Sequence, residues 1–187
     1  MNLISKLRAL RSTRTIGRNQ YGYSIIEIGI VLAVIAIAAT GIILFGIQKF
    51  AEIGAKNEAD IVKELGLSVI AYKQNRPNFA GLTSDEVRTS GRVPPARING
   101  TNIVNGSAGT ITFAPTTVTT ANDAFTVTST NLKDNVCKLA PTGIESLATS
   151  MSINGTVVKA VGATLVDTTV NASCTGDTNT IVTTFTK

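Results

Sequence analysis

The polar and apolar positions divide the chain into stretches of different character. Residues 1–22 mix polar and basic side chains with a few aliphatic ones. From Ile28 to Ile47 there are twenty consecutive residues without a charge. At about 1.5 Å per residue, a helix of that length spans the hydrocarbon core of a bilayer. Helical periodicity continues beyond it. Ile53, Ile61, Leu65, Val69 and Tyr72 recur at helical spacing, and Glu52, Lys56, Asp60, Lys63 and Lys73 fill the other faces. That pattern predicts an amphipathic helix with one apolar stripe. Pro77 disfavours helical backbone in the residue before it. One helix is therefore expected from about Ser24 to Asn75, apolar all round in its first half and on one side in its second.

After Pro77 the pattern changes. Residues 78–110 carry Asn, Gly and Pro throughout and read as loop. A short helix is expected from Ser84, with Ser84 as its N-cap and Asp85 and Glu86 in its first turn. The remainder is β-rich, with candidate strands at Thr110–Ala114, Ala124–Thr128, Thr156–Val161 and Thr180–Thr186. Asn-Gly pairs at Asn99, Asn105 and Asn154 mark tight turns. A second short helix is expected from about Gly143 to Met151. No internal repeat is present.

Charge sharpens this division. The chain has 187 residues and a formal net charge of +5. Lys6, Arg8, Arg11, Arg14 and Arg18 precede Tyr23 without a single acidic residue, which leaves 12 basic and 12 acidic residues from Tyr23 onward. The positive-inside rule keeps the basic segment in the cytoplasm and puts everything after Phe50 outside it. The balanced remainder lacks the basic face that nucleic-acid binding needs. Arg88, Arg92 and Arg97 form only a loose trio in a loop. With no His, the chain lacks the commonest general base and metal ligand, and no catalytic, cofactor-binding or metal-binding constellation stands out. Cys137 and Cys174 are an even pair in a chain that crosses a membrane, which predicts a disulfide formed in an oxidising compartment. Four Asn-x-Ser/Thr triplets, at Asn99, Asn105, Asn154 and Asn171, match a glycosylation acceptor. Three of them are the Asn-Gly pairs, for which a turn is reason enough.

Gly22-Tyr23-Ser24-Ile25-Ile26-Glu27 carries the most information. A charged side chain inside an apolar membrane helix costs on the order of 2.5–3.5 kcal/mol on insertion scales, so Glu27 calls for a partner. Cleavage between Gly22 and Tyr23 would create an ammonium group four residues from it. In a stack of staggered helices, Glu27 of one subunit could meet that amine on the next.

A basic leader, a Gly, an aromatic residue, small or aliphatic residues, a Glu and then an apolar run resemble the start of a type IV prepilin. The resemblance is strong over about residues 18–48 and extends to the globular part in layout only. A leader of 22 residues is similar to those of the type IVb class, which includes the thin conjugative pili. The resemblance implies an α+β fold, a long N-terminal helix packed on a twisted antiparallel β-sheet. It implies a leader at 1–22, a membrane and assembly half-helix at 23–48, and a head domain at 49–187. It further implies cleavage after Gly22 by a prepilin peptidase, N-methylation at Tyr23, an assembly role for Glu27, and the family's C-terminal disulfide loop at Cys137 and Cys174. The expected partners are copies of the same chain, the peptidase, the pilus assembly machinery and an outer-membrane secretin. The precursor would lie in the inner membrane and the assembled fibre at the cell surface, for adhesion or conjugation. The competing reading is a pseudopilin of a type II secretion system. Some positions depart from the common pattern: Tyr stands at the first mature position, Ile28-Gly29 follows the Glu, and no Pro occurs between residues 23 and 76. Gly41 and Gly46 could loosen the helix instead, at about 1 kcal/mol each.

Overall fold

The computed structural model describes residues 24–187. Its first element is α1 (Ile25–Tyr72), and two units meet within it, at Ile43 and Leu44. In the first unit the helix starts where the Ile28 amide donates to the Ser24 carbonyl, and residues 25–43 are all exposed.

In the second unit, α1 buries Ala51, Ala55, Ala59, Ile61, Val62, Leu65 and Val69. Ile61, Leu65 and Val69 follow the stripe read from sequence, and the rest of it does not. Ile53 and Tyr72 are exposed, whereas Glu58 and Lys73 are buried. The buried face runs through positions of little bulk, so its apolar signal is weak. Lys73 keeps its charge satisfied by pairing with Glu86 Oε1 at 2.6 Å, and the Tyr72 hydroxyl donates to the same oxygen. Helix α1 ends three residues before Asn75, and Lys187 Nζ donates to the carbonyls of Lys73 and Arg76 just past its end. A cation there also complements the partial negative charge of the helix end.

Seven strands form one antiparallel sheet: β1 (Ile98–Asn99), β2 (Asn102–Val104), β3 (Thr110–Thr116), β4 (Ala124–Leu132), β5 (Ser150–Ile153), β6 (Thr156–Lys159) and β7 (Asn179–Thr186). Their order is β1-β2-β3-β4-β7-β5-β6. The last strand therefore inserts between β4 and β5, pairing Phe125 with Phe185 on one side and Ile153 with Ile181 on the other. Phe79 joins this pair, with ring centroids 4.7 Å from Phe125, while Phe125 and Phe185 stand 5.5 Å apart. The three rings form the aromatic centre of the core. Three short α-helices, α2 (Ser84–Thr89), α3 (Asp134–Ile144) and α4 (Asp167–Ser173), and a 3-10 turn at Pro95–Arg97 complete the head.

All four expected strands form, as β3, β4, β6 and β7; β3, β4 and β7 extend beyond their expected bounds, and β6 stops at Lys159. Helix α2 forms too, but its N-cap is Thr83, whose hydroxyl accepts from the Glu86 amide. Ser84 instead accepts from the Phe113 amide and ties α2 to β3. The helix expected at Gly143–Met151 is absent. Helix α3 comes earlier and ends where that one was to begin, and Ser150 and Met151 open β5. Pro141 reads as a breaker because it lacks the N–H of the helical ladder. Here it sits buried inside α3, and the Glu145 amide still donates to its carbonyl, so the helix runs past it at the cost of one ladder bond.

Two glycines set how closely the layers meet. A Cβ on Gly66 would lie 2.8 Å from the Phe185 ring, and one on Gly143 would lie 2.7 Å from Ala59 Cβ. Phe185 cannot swing aside, because it stacks on Phe125. Ala gains about 1 kcal/mol over Gly in a helix interior. Overpacking costs about 1–3 kcal/mol, so the clash wins. Gly66→Ala should lower the unfolding midpoint of the solubilised chain in a thermal melt, and an unchanged or raised midpoint would show that α1 stands further from β7.

Candidate assembly segment and disulfide loop

The candidate assembly segment begins with Ser24, whose hydroxyl accepts from the Ile26 amide at 3.3 Å. Glu27 follows in the first turn of α1. A carboxylate there complements the partial positive charge of the helix start. Its neighbours are aliphatic and bare: Ile25 is 89% exposed, Ile26 73% and Ile28 48%. Residues Ile25–Ile43 are long and apolar enough to cross a membrane. Besides Glu27 the stretch holds the polar Thr40, whose hydroxyl donates to the Ala36 carbonyl at 2.8 Å, so the helix itself satisfies it. Gly22 and Tyr23, the expected cleavage and methylation positions, lie outside the described residues.

At the other end of the sequence, Cys137 in α3 is bonded to Cys174 just past α4, with Cα atoms 5.8 Å apart. The bond closes a segment of α3, β5, β6 and α4 across a sequence separation of 37. On the chain-entropy model a loop of that size contributes roughly 4 kcal/mol. Asn179, wholly buried, organises the same region. It donates to the carbonyls of Leu132 and Gly176 and accepts from Asn154 Nδ2 and the Thr175 amide. Asn154 also donates to the Ser173 carbonyl, joining the β5–β6 turn to the end of α4.

Sequence reading missed Glu58. It is buried, and its Oε1 accepts from the Ser129 hydroxyl, which in turn accepts from Asn105 Nδ2. Oε2 is buried without a hydrogen-bond partner. Burial pushes the Glu58 carboxyl above its ordinary value, and the Ser129 hydroxyl, the Gly106 amide and the charge of Arg97 offset only part of that. A charged residue on an apolar helix face is the signal that could have found it. Of the Arg trio, Arg97 acts on Glu58 and Arg88 pairs with Asp85, so only Arg92 stays on the surface, over the Tyr72 ring. Among the described residues, no group of His, Cys, Asp or Glu could hold a metal ion.

An apolar helix with a Glu in its first turn, leading into a disulfide-closed α+β head, defines the pilin class. Residues 51–186 match the family model described as PilS N terminal, and the chain belongs to that family. Among solved structures it is similar to a type IVb pilin from Salmonella typhi, with 21% identity over 70% of this chain and 98% of that one, at a TM-score of 0.56. It is also similar to TcpA, a type IV pilin from Vibrio cholerae El Tor biotype, with 14% identity over 70% and 98% of the two chains, at a TM-score of 0.55. No curated protein sequence matches the chain. The fold is that of type IVb pilins, and the protein is a pilin subunit, not an enzyme.

The raised Glu58 carboxyl has a stability consequence. The folded state holds its proton more tightly than the unfolded state, whose ordinary value is 4.5. Stability is therefore full below pH 4.5 and falls as pH rises through the folded value. Glu58→Gln removes that loss while its carbonyl oxygen can still accept from Ser129. Denaturant unfolding followed across this window should show wild type losing stability toward neutrality and the variant staying flat. At neutral pH the variant should gain on the order of 1–3 kcal/mol, the scale of a poorly satisfied buried polar group. Parallel pH curves for the two proteins would show that Glu58 ionises in the fold without penalty.

Proposed function

We propose that the protein is the major structural subunit of a type IVb pilus. The carrying observation is the exposed aliphatic surface of residues 25–43 with Glu27 in its first turn. Such a surface has to be covered by lipid or by other copies of the same segment. Residues 1–22 are a leader that a prepilin peptidase removes after Gly22, and the new amine at Tyr23 is methylated. The precursor waits in the inner membrane with its leader in the cytoplasm. The assembly machinery then packs the helices into a filament, which leaves through an outer-membrane secretin and serves adhesion or conjugative contact.

Glu27 works in assembly, not in folding. In a bundle of apolar helices an unpaired charge is costly. The Tyr23 amine of a neighbouring subunit neutralises it and fixes the axial register. Glu27→Gln should leave subunit level, leader removal and the Cys137–Cys174 bond unchanged while sharply reducing fibre number in electron micrographs. Mass spectrometry of wild-type fibres should give a chain starting at methylated Tyr23. Normal fibre yield from Glu27→Gln would remove the charge pairing and leave the subunit assignment standing, whereas a chain starting near Ala39 would point to ordinary signal-peptidase processing.

A further inference from the structure

The head carries three Asn-Gly pairs, and the fold treats them unequally. Asn105 is 4% exposed, and every polar atom of its side chain is engaged. Its Nδ2 donates to Ser129 Oγ at 2.9 Å and to the Thr130 carbonyl at 2.8 Å, while its Oδ1 accepts from the Ser107 and Gly109 amides. Asn154 is exposed like Asn99, but its side chain is held by hydrogen bonds. Its Nδ2 donates to the Ser173 carbonyl and to Asn179 Oδ1, and its Oδ1 accepts from the Thr180 amide at 2.9 Å. Asn99 differs. It is exposed at the end of β1, on the edge of the sheet, and the structure shows no hydrogen bond to its side chain. Gly100 follows it in an exposed two-residue turn with φ +61°.

We infer that Asn99 is a site of spontaneous backbone-assisted deamidation, and that the fold suppresses the same reaction at Asn105 and Asn154. The Gly100 amide nitrogen attacks the Asn99 side-chain carbonyl carbon. A bond forms between that nitrogen and Cγ, the Cγ–Nδ2 bond breaks, and Nδ2 leaves as ammonia carrying the proton from the Gly100 amide. Water then opens the cyclic imide at either carbonyl, giving Asp or isoaspartate at position 99. Water is the only co-reactant, and nothing is oxidised or reduced. The reaction needs a side-chain amide free to rotate toward the next nitrogen and a following residue without a side chain to obstruct it. Asn99-Gly100 meets both conditions. At Asn105 and Asn154 the attack first requires several hydrogen bonds to open, so reaction there proceeds only through local unfolding. The turn between β1 and β2 thereby gains a negative charge with age, two residues from Arg97.

The test is peptide mapping by mass spectrometry of the full chain in detergent, aged in mildly alkaline buffer, beside the same chain reduced and held in denaturant. Asn99 and Asn105 fall on one tryptic peptide, between Arg97 and Lys133, so fragment ions must localise the amide-to-acid conversion. In the denatured chain all three pairs should react at similar rates. In the folded chain Asn99 should stay close to its denatured rate. Asn105 and Asn154 should slow by more than about tenfold, the factor corresponding to 1.4 kcal/mol of opening free energy. Asn99→Gln should abolish conversion at that position and leave the other two unchanged. Folded-state conversion at Asn105 or Asn154 as fast as at Asn99, or an Asn99 that reacts only when denatured, would overturn the inference.

Discussion

The head depends on how closely α1 approaches what lies beneath it, and that approach is set by residues with almost no side chain. Gly66 lets the helix rest on the Phe185 ring, Ala59 meets Gly143 of α3, and Gly54 faces Val136. Leu65 and Val69 then reach the interior between these contacts. Interiors are packed to the density of organic crystals, so a helix brought this near cannot accommodate even one added methyl without displacement. The same closeness explains Glu58. It lies on the buried face between Ala55, Ala59 and Val62, so the packing that buries its neighbours removes it from water as well. The Asn105–Ser129 relay gives it one good hydrogen bond and leaves the second oxygen without one.

A second constraint comes from topology. Because β7 lies between β4 and β5, the sheet is completed only when the C-terminal strand threads into its middle. The chain between β4 and β7 therefore makes an excursion through α3, β5, β6 and α4 before it returns. Loop closure over that length carries an entropic cost. The Cys137–Cys174 bond removes part of that cost from the unfolded state, and the buried Asn179 hub fixes where β7 starts relative to Leu132 and the β5–β6 turn. The disulfide and the hub act on the same junction, one by limiting the unfolded chain and the other by satisfying buried polar groups.

What was legible in the sequence follows from these facts. The long helix, the main strands and the paired cysteines announce themselves through length, alternation and count. The Asn-Gly turns were legible as well, and Asn154 at φ +49° followed by Gly155 at φ +84° has the geometry such a hairpin turn requires. The buried face of α1 was less legible, because Ala and Gly weigh little on any scale of hydrophobicity while Ile53 and Tyr72 weigh a great deal and stay outside. Helix α3 was hidden by Pro141, and β1, β2 and β5 are too short to show a period. Lys73 was read as a surface charge and Glu58 was passed over, because the sequence does not show that Glu86 and Ser129 meet them across the fold.

Residues 25–43 pose the opposite problem from the head. Their aliphatic side chains are bare, and no described residue covers them. On the proposed reading this surface serves two solvents in turn, lipid before assembly and other helices after it. Aliphatic side chains suit both environments without discrimination, so they supply cohesion and no register. Register has to come from a group whose energy depends sharply on position. Among residues 25–43 that group is Glu27, the only ionisable side chain in the run. Its tolerance in the membrane comes from standing in the first turn of α1, where the helix start favours a carboxylate. Its value in a fibre comes from the steep penalty of leaving that charge unmatched among apolar helices. Specificity in the filament is then carried by one residue, and bulk stability by all the others.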